Sequence, residues 1–183
     1  MRRSILLLSL LLSLLVLPAC QSAQPTESAT LKVMATTSIV ADVVQQIGGD
    51  AVNVTMLLPL GSDPHSFQPA PRDMAAVTEA DVIFANGAGL EEFLQPLIES
   101  AGATTRVVEV SDGISLLEAA EEDPDIADEH AGDPHTWVDP NNVLVWVDNI
   151  EKALSAADPS HSADYRQNAE AYMAGKWAGA HDF

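Results

Sequence analysis

Basic residues are scarce in this chain of 183 residues: 8 Lys and Arg stand against 27 Asp and Glu, for a formal charge of −19 at pH 7. A surface of that sign repels a phosphate backbone instead of neutralising it, which excludes nucleic acid as a natural partner. A cation is attracted by the same field. Long apolar runs are missing too. The longest, residues 5–17, is about thirteen residues with two serines in it, short of the roughly 20 that span a bilayer. There is no H-E-x-x-H or comparable motif that would set a general base beside a metal, which argues against a metallohydrolase and against enzymatic chemistry in general. Cysteine occurs once, as Cys20, and histidine five times.

The apolar run is read as the core of a secretory leader, because Arg2 and Arg3 precede it and Pro18-Ala19-Cys20 follow. Leu17-Pro18-Ala19-Cys20 resembles a bacterial lipobox, with Pro18 an unusual occupant of its place. Cleavage there makes Cys20 the first mature residue and a site for lipid, and each methylene so buried contributes about 0.8 kcal/mol of membrane attachment. Losing Arg2 and Arg3 with the leader takes the charge from −19 to −21. Residues 21–30 are polar and read as a flexible tether. The expectation is an exported, lipid-anchored protein, on the outer face of the cytoplasmic membrane or in the periplasm.

From Leu31 onward the pattern alternates. "LKVMATT" reads as a strand, and Ser38 is placed to cap a helix whose apolar positions Ile39, Val43, Val44 and Ile47 have helical spacing before Gly48 and Gly49 end it. "AVNVTMLLP" follows as a strand, a helix is expected over 71–80, then the strand "DVIFANG", a helix over 90–100 and the strand "TRVVEV". Such alternation predicts the α/β class, a parallel sheet flanked by helices in one (β/α) lobe. Residues 111–133 turn acidic, with seven carboxylates in "EEDPDIADEHAGD", and read as a solvated loop. Helices are expected over 141–157 and 160–174.

Two stretches repeat one pattern seventy residues apart. Asp63-Pro64-His65-Ser66-Phe67 and Asp133-Pro134-His135-Thr136-Trp137 carry the same residue classes in the same order. Each proline fixes φ and pushes its aspartate to an extended conformation, and the aspartate side chain can accept nearby backbone N–H groups. The result is a rigidly held histidine. Both turns fall between a strand region and the following helix, the edge at which open α/β sheets bind ligands. Two such histidines in an exported acidic domain point to a shared metal site on His65 and His135, with aspartates or carbonyls fixing each imidazole tautomer.

The stretch from "MATTSIVADVV" through "GSDPHSFQP" and "ADVIFANGAGLEEFL", together with "DPHTWVDPNN", resembles the zinc- and manganese-binding solute-binding proteins of bacterial ABC importers. That resemblance implies two (β/α) lobes joined by a long helix, with the metal in the cleft between them, held by histidines and a carboxylate. His65 and His135 match the two ligands taken from the first lobe. With the leader 1–20 and tether 21–30 already read from the residues, it divides the rest into a metal-binding lobe 31–158 and the start of the interlobe helix over 159–183. The second lobe is expected to be missing from a truncated form that keeps half a metal site.

Several residues are set aside as bland. His130 reads as part of the solvated loop, His161 as a surface residue at a helix start, and His181 with Asp182 as a terminus. Trp137 is expected to pack beneath the site. Asp139 is either an outer acceptor for the site or an extended residue before Pro140. The function expected is capture of a divalent transition metal, zinc before manganese, by a monomer that delivers it to a membrane ABC permease. A metal buffer or adhesin without transport is the alternative.

Overall fold

The computed structural model describes residues 30–62, 67–91, 94–102, 106–117 and 132–177. Four strands alternate with helices: β1 (Leu31–Ala35), α1 (Ser38–Gly48), β2 (Val52–Met56), α2 (Pro71–Glu79), β3 (Val82–Ala85), α3 (Leu94–Ala101) and β4 (Val107–Glu109). Two longer helices close the lobe, α4 (Pro140–Ala157) and α5 (Ser162–Trp177). The sheet has the order β2-β1-β3-β4, and every pairing is parallel. This is the α/β lobe expected from the alternating pattern. No helix among the described residues is long and apolar enough to cross a membrane.

Strand side chains alternate between two faces, and both are covered, so the central strands are apolar apart from Lys32 near the start of β1. Val33, Ala35, Val82 and Phe84 point to one face, where they pack with Val40, Val43, Val44 and Ile47 of α1, Trp146 and Ile150 of α4, and Tyr165 of α5. Met34, Ile83 and Ala85 point to the other, under Val77 of α2 and Leu94, Leu97 and Ile98 of α3. The first half of α5, in the segment expected to open an interlobe helix, is therefore packed on this lobe through Tyr165 and Ala169. Asn168 Nδ2 adds a 3.0 Å hydrogen bond to the Ile47 carbonyl.

The N-terminus of α1 differs from the expectation by one residue. Thr37, with extended φ −118° and ψ 162°, is the cap, and its hydroxyl accepts from Val40 N at 3.3 Å; Ser38 is already helical. The rotation carries Val40 into the core and leaves Ile39 39% exposed. Gly49 ends the helix with φ 56°, a left-handed conformation that costs glycine little.

The path of the chain creates one special edge. The β1-to-β2 crossover runs over the first face through α1. The crossovers to β3 and β4 run over the second through α2 and α3. Loops leaving β1 and β3 thus diverge to opposite sides. The crevice at their carboxyl ends is the topological switch point where such sheets take ligands.

Candidate metal centre

His135 is delivered to this edge. Asn86, the first residue past β3, donates from Nδ2 to the Pro134 carbonyl at 2.9 Å. Ser111, two residues past β4, shares a buried 2.8 Å hydrogen bond with the Thr136 hydroxyl and accepts one from Trp146 Nε1 at 3.1 Å. Asn142 Nδ2 holds the Thr136 carbonyl at 3.0 Å. The residues on either side of His135 are therefore pinned to two strand exits and to the first turn of α4.

Within the turn, Asp133 Oδ1 accepts from the His135 backbone N–H at 2.9 Å and lies 2.7 Å from ring Nδ1. These bonds, the backbone one first, hold the Asp133 carboxyl below the ordinary carboxylate range. A carboxylate accepts only, so the pairing assigns the hydrogen to Nδ1 and the lone pair to Nε2. That is the tautomer a metal ligand needs. Trp137 packs edge-on against the imidazole, centroids 5.2 Å apart at 77°, and leans on buried Trp146 at 6.4 Å.

Asp139 is the extended residue before Pro140 that one of the two expectations described, and it also caps α4: its Oδ1 accepts from Asn141 N at 2.8 Å and Asn141 Nδ2 at 2.9 Å. His161 is far away. It follows the C-terminus of α4, an 18-residue helix that puts roughly 27 Å between its ends, and its Nδ1 lies 2.5 Å from Asp158 Oδ2. His65, His130, His181, Asp182 and Cys20 lie outside the described residues. The flanks of the His65 turn are described: Leu57 and Leu58 donate to the carbonyls of Ala35 and Thr36 at the end of β1, and Phe67 packs on the second-face core. Among the described residues no group of three or more His, Cys, Asp or Glu is gathered as a metal would require.

Sequence reasoning gave no role to the residue at the centre of the switch point. Glu91 is 8% exposed. Its Oε1 accepts from Thr36 Oγ1 at 2.6 Å, past β1, and from Asn86 N at 2.7 Å, past β3, while Oε2 accepts from Gly87 N at 3.0 Å. Burial pushes this carboxyl up, against the three hydrogen bonds, and nearby Glu109 adds to the rise. The turn that returns Glu91 to the sheet has three consecutive residues at positive φ, Gly87 at 77°, Ala88 at 54° and Gly89 at 82°. A Cβ on Gly87 would meet Glu109 Oε2 at 2.7 Å. The signal was present in "NGAGLE", a Gly-x-Gly turn between a strand-end asparagine and an acid, but a glutamate beside a second glutamate reads as surface.

Residues 33–176 match the family model described as ZnuA, zinc-uptake complex component A periplasmic. The chain is 41% identical over 143 residues to the manganese-binding lipoprotein MntA of Halalkalibacterium halodurans, an alignment covering 78% of this chain and 45% of that protein. It is 37% identical to the iron ABC transporter substrate-binding lipoprotein MtsA of Streptococcus pyogenes serotype M1, covering 94% and 57%. Among solved structures, the Mn-bound periplasmic metal binding protein from Candidatus Liberibacter asiaticus superposes with a TM-score of 0.68 at 33% identity, covering 79% of this chain and 52% of that one. The chain spans about half the length of the relatives it matches.

Proposed function

Because the chain belongs to the family of ZnuA, zinc-uptake complex component A periplasmic, we propose that it captures a divalent transition metal outside the cytoplasm for delivery to an ABC permease, as a binding protein without covalent chemistry. The observation that carries this reading is the His135 ring, which Asp133 holds through Nδ1 so that the lone pair is on Nε2, at the edge where the sheet changes direction. His65 is the proposed second ligand. Leu57 and Leu58, which precede it in the chain, donate to the carbonyls of Ala35 and Thr36 at the end of β1, and that course supports the assignment.

Two imidazoles leave a zinc ion short of its usual four donors, and further ligands are proposed to come from a second lobe of the kind the family resemblance implies. Residues 31–158 are then the metal-binding lobe, with 159–183 leading toward the other. Imidazole nitrogen favours zinc over manganese in intrinsic affinity, and the donors beyond the two histidines set the selectivity. Zinc is the proposed cargo; the names of the relatives above carry manganese and iron. Cys20 is proposed as the lipidated residue, holding a monomer at the membrane beside its permease.

Calorimetric titration of the chain with zinc and with manganese tests the site. His65→Ala and His135→Ala should each weaken zinc binding by about 100-fold or more, the upper end of what outer contacts alone produce. Zinc affinity that survives both substitutions sinks the reading. Cys20→Ala should move the protein from the membrane fraction to the soluble one, and unchanged membrane association removes the lipid anchor from the account.

A further inference from the structure

Glu91 and Asn86 are an uneconomical way to build a turn. A buried carboxylate whose partners are donors and not cations is unfavourable to desolvate. Asn86 is fully buried, and among the described residues its Oδ1 has no hydrogen-bond partner. The amide cannot be turned over to relieve this, because Nδ2 faces two carbonyls, Gly87 O at 2.8 Å and Pro134 O at 2.9 Å, and both need a donor. Ala88 at φ 54° adds backbone strain in the same turn. Unfavourable features that gather at one place ask what the arrangement holds. The Glu91 carboxylate fixes the Asn86 backbone and ties it to Thr36 across the switch point, and the Asn86 side chain reaches out of that anchored backbone to the carbonyl preceding His135.

We infer that Asn86, anchored by Glu91, is a positioning residue for His135: its amide fixes the Pro134 carbonyl and thereby the direction in which the imidazole presents Nε2 to a metal. Asp133 sets the tautomer of the ring, and Asn86 sets the place of the turn that carries it. The two act on different degrees of freedom. A ligand held by Asp133 alone keeps its protonation pattern and loses its location relative to the β1 and β3 exits. This inference rests on His135 being a metal ligand, as proposed above.

A double-mutant cycle on the full chain, read as zinc affinity by competition with a chromophoric chelator, separates positioning from general support of the fold. Asn86→Ala should weaken zinc binding about tenfold, the scale of a lost outer contact to a ligand. In the His135→Ala background the same substitution should change nothing further. Asn149→Ala removes hydrogen bonds to the Val110 and Asp112 carbonyls at the neighbouring strand exit. It should lower thermal stability and leave zinc affinity alone. Glu91→Gln, which cannot accept from both Asn86 N and Gly87 N through oxygen, should follow Asn86→Ala through the same cycle and stands in for it if that variant does not fold. Unchanged affinity in Asn86→Ala and Glu91→Gln, with His135→Ala impaired, overturns the inference and leaves the ligand reading intact. A tenfold loss that persists without His135 also overturns it, since the effect then reaches the metal by another route. Unaltered zinc binding in His135→Ala itself refutes the ligand reading, and this inference with it.

Discussion

The lobe contains two aspartate–histidine pairs of nearly the same composition, and they are used in opposite ways. At the switch point, Asp133 and His135 lie 2.7 Å apart with side chains 44% and 45% exposed. At the far end of α4, Asp158 and His161 lie 2.5 Å apart with side chains 14% and 27% exposed. Among the described residues, Asp133 gives its hydrogen-bonding oxygen to one, the histidine. Asp158 accepts from Ser160 N and Oγ, from His161, and from the Tyr165 hydroxyl at 3.0 Å, which together lock the corner between α4 and α5. The first carboxylate holds a half-exposed ring through Nδ1. The second gathers donors inward to close two helices. An Asp–His contact alone therefore says nothing about function; the other partners of the carboxylate and the direction of the second ring nitrogen decide it.

Exchanging the fates of the two pairs is the sharpest way to break this contrast. His135→Ala should cost the chain about 100-fold or more in zinc affinity, about 2.7 kcal/mol, whereas His161→Ala should leave zinc affinity unchanged in the same titration. Equal losses would erase the distinction. The next effect is on stability. Asp158→Ala removes the acceptor for several donors in a largely buried corner and should lower unfolding free energy by about 2 kcal/mol in urea denaturation; Asp133→Ala, half exposed, should cost well under half of that. Zinc affinity should rank the same pair in reverse, with Asp133→Asn about tenfold weaker and Asp158→Asn unaffected.

The smallest effect is a pH dependence. Burial opposes ionisation of Asp158, but the hydrogen bonds from Ser160, His161 and Tyr165 outweigh it and bring the carboxyl down from 3.8 to about 2. A folded-state value below the unfolded one means that the unfolded chain binds the proton more readily, so this contribution is complete above pH 3.8 and is lost as pH falls through about 2. Tyr165 stays a donor across this range, because burial and the neighbouring carboxylate push its phenol up. The stability gap between the parent and Asp158→Asn should therefore narrow as pH drops from 4 to 2, since the asparagine resembles the protonated acid. A gap of constant width would assign the corner to packing and not to charge.

Much of the fold was legible along the chain, for local reasons. Apolar runs of strand length between helical patterns indicate a parallel sheet covered on both faces, because strands buried on both sides lose the polar alternation of half-exposed ones. The Asp-Pro-His turn announced its own geometry, since proline and a short acceptor act within two residues, and Asp133 accepts from His135 N as those rules require. Element ends were less legible. Thr37 and Ser38 are both good caps, and the choice between them was decided by which register buries Val40 beside Phe84. Asp139 was open between an outer acceptor for the site and an extended residue before Pro140, and it is extended with its carboxylate directed into the first turn of α4.

Sequence alone determined the class of the lobe and the rigid Asp-Pro-His turn, because each follows from forces acting within a few residues. Only the tertiary structure decided that β1 lies between β2 and β3, that buried Glu91 bridges the exits of β1 and β3, and that the Pro134 carbonyl is held by Asn86 while His161 is carried a helix length away. Those outcomes depend on contacts between residues 48 and 55 positions apart, Asn86 with Pro134 and Thr36 with Glu91. No spacing along the chain encodes such pairs; they come into being when burial of two sheet faces selects one order of strands, and with it the set of loops that meet at one edge.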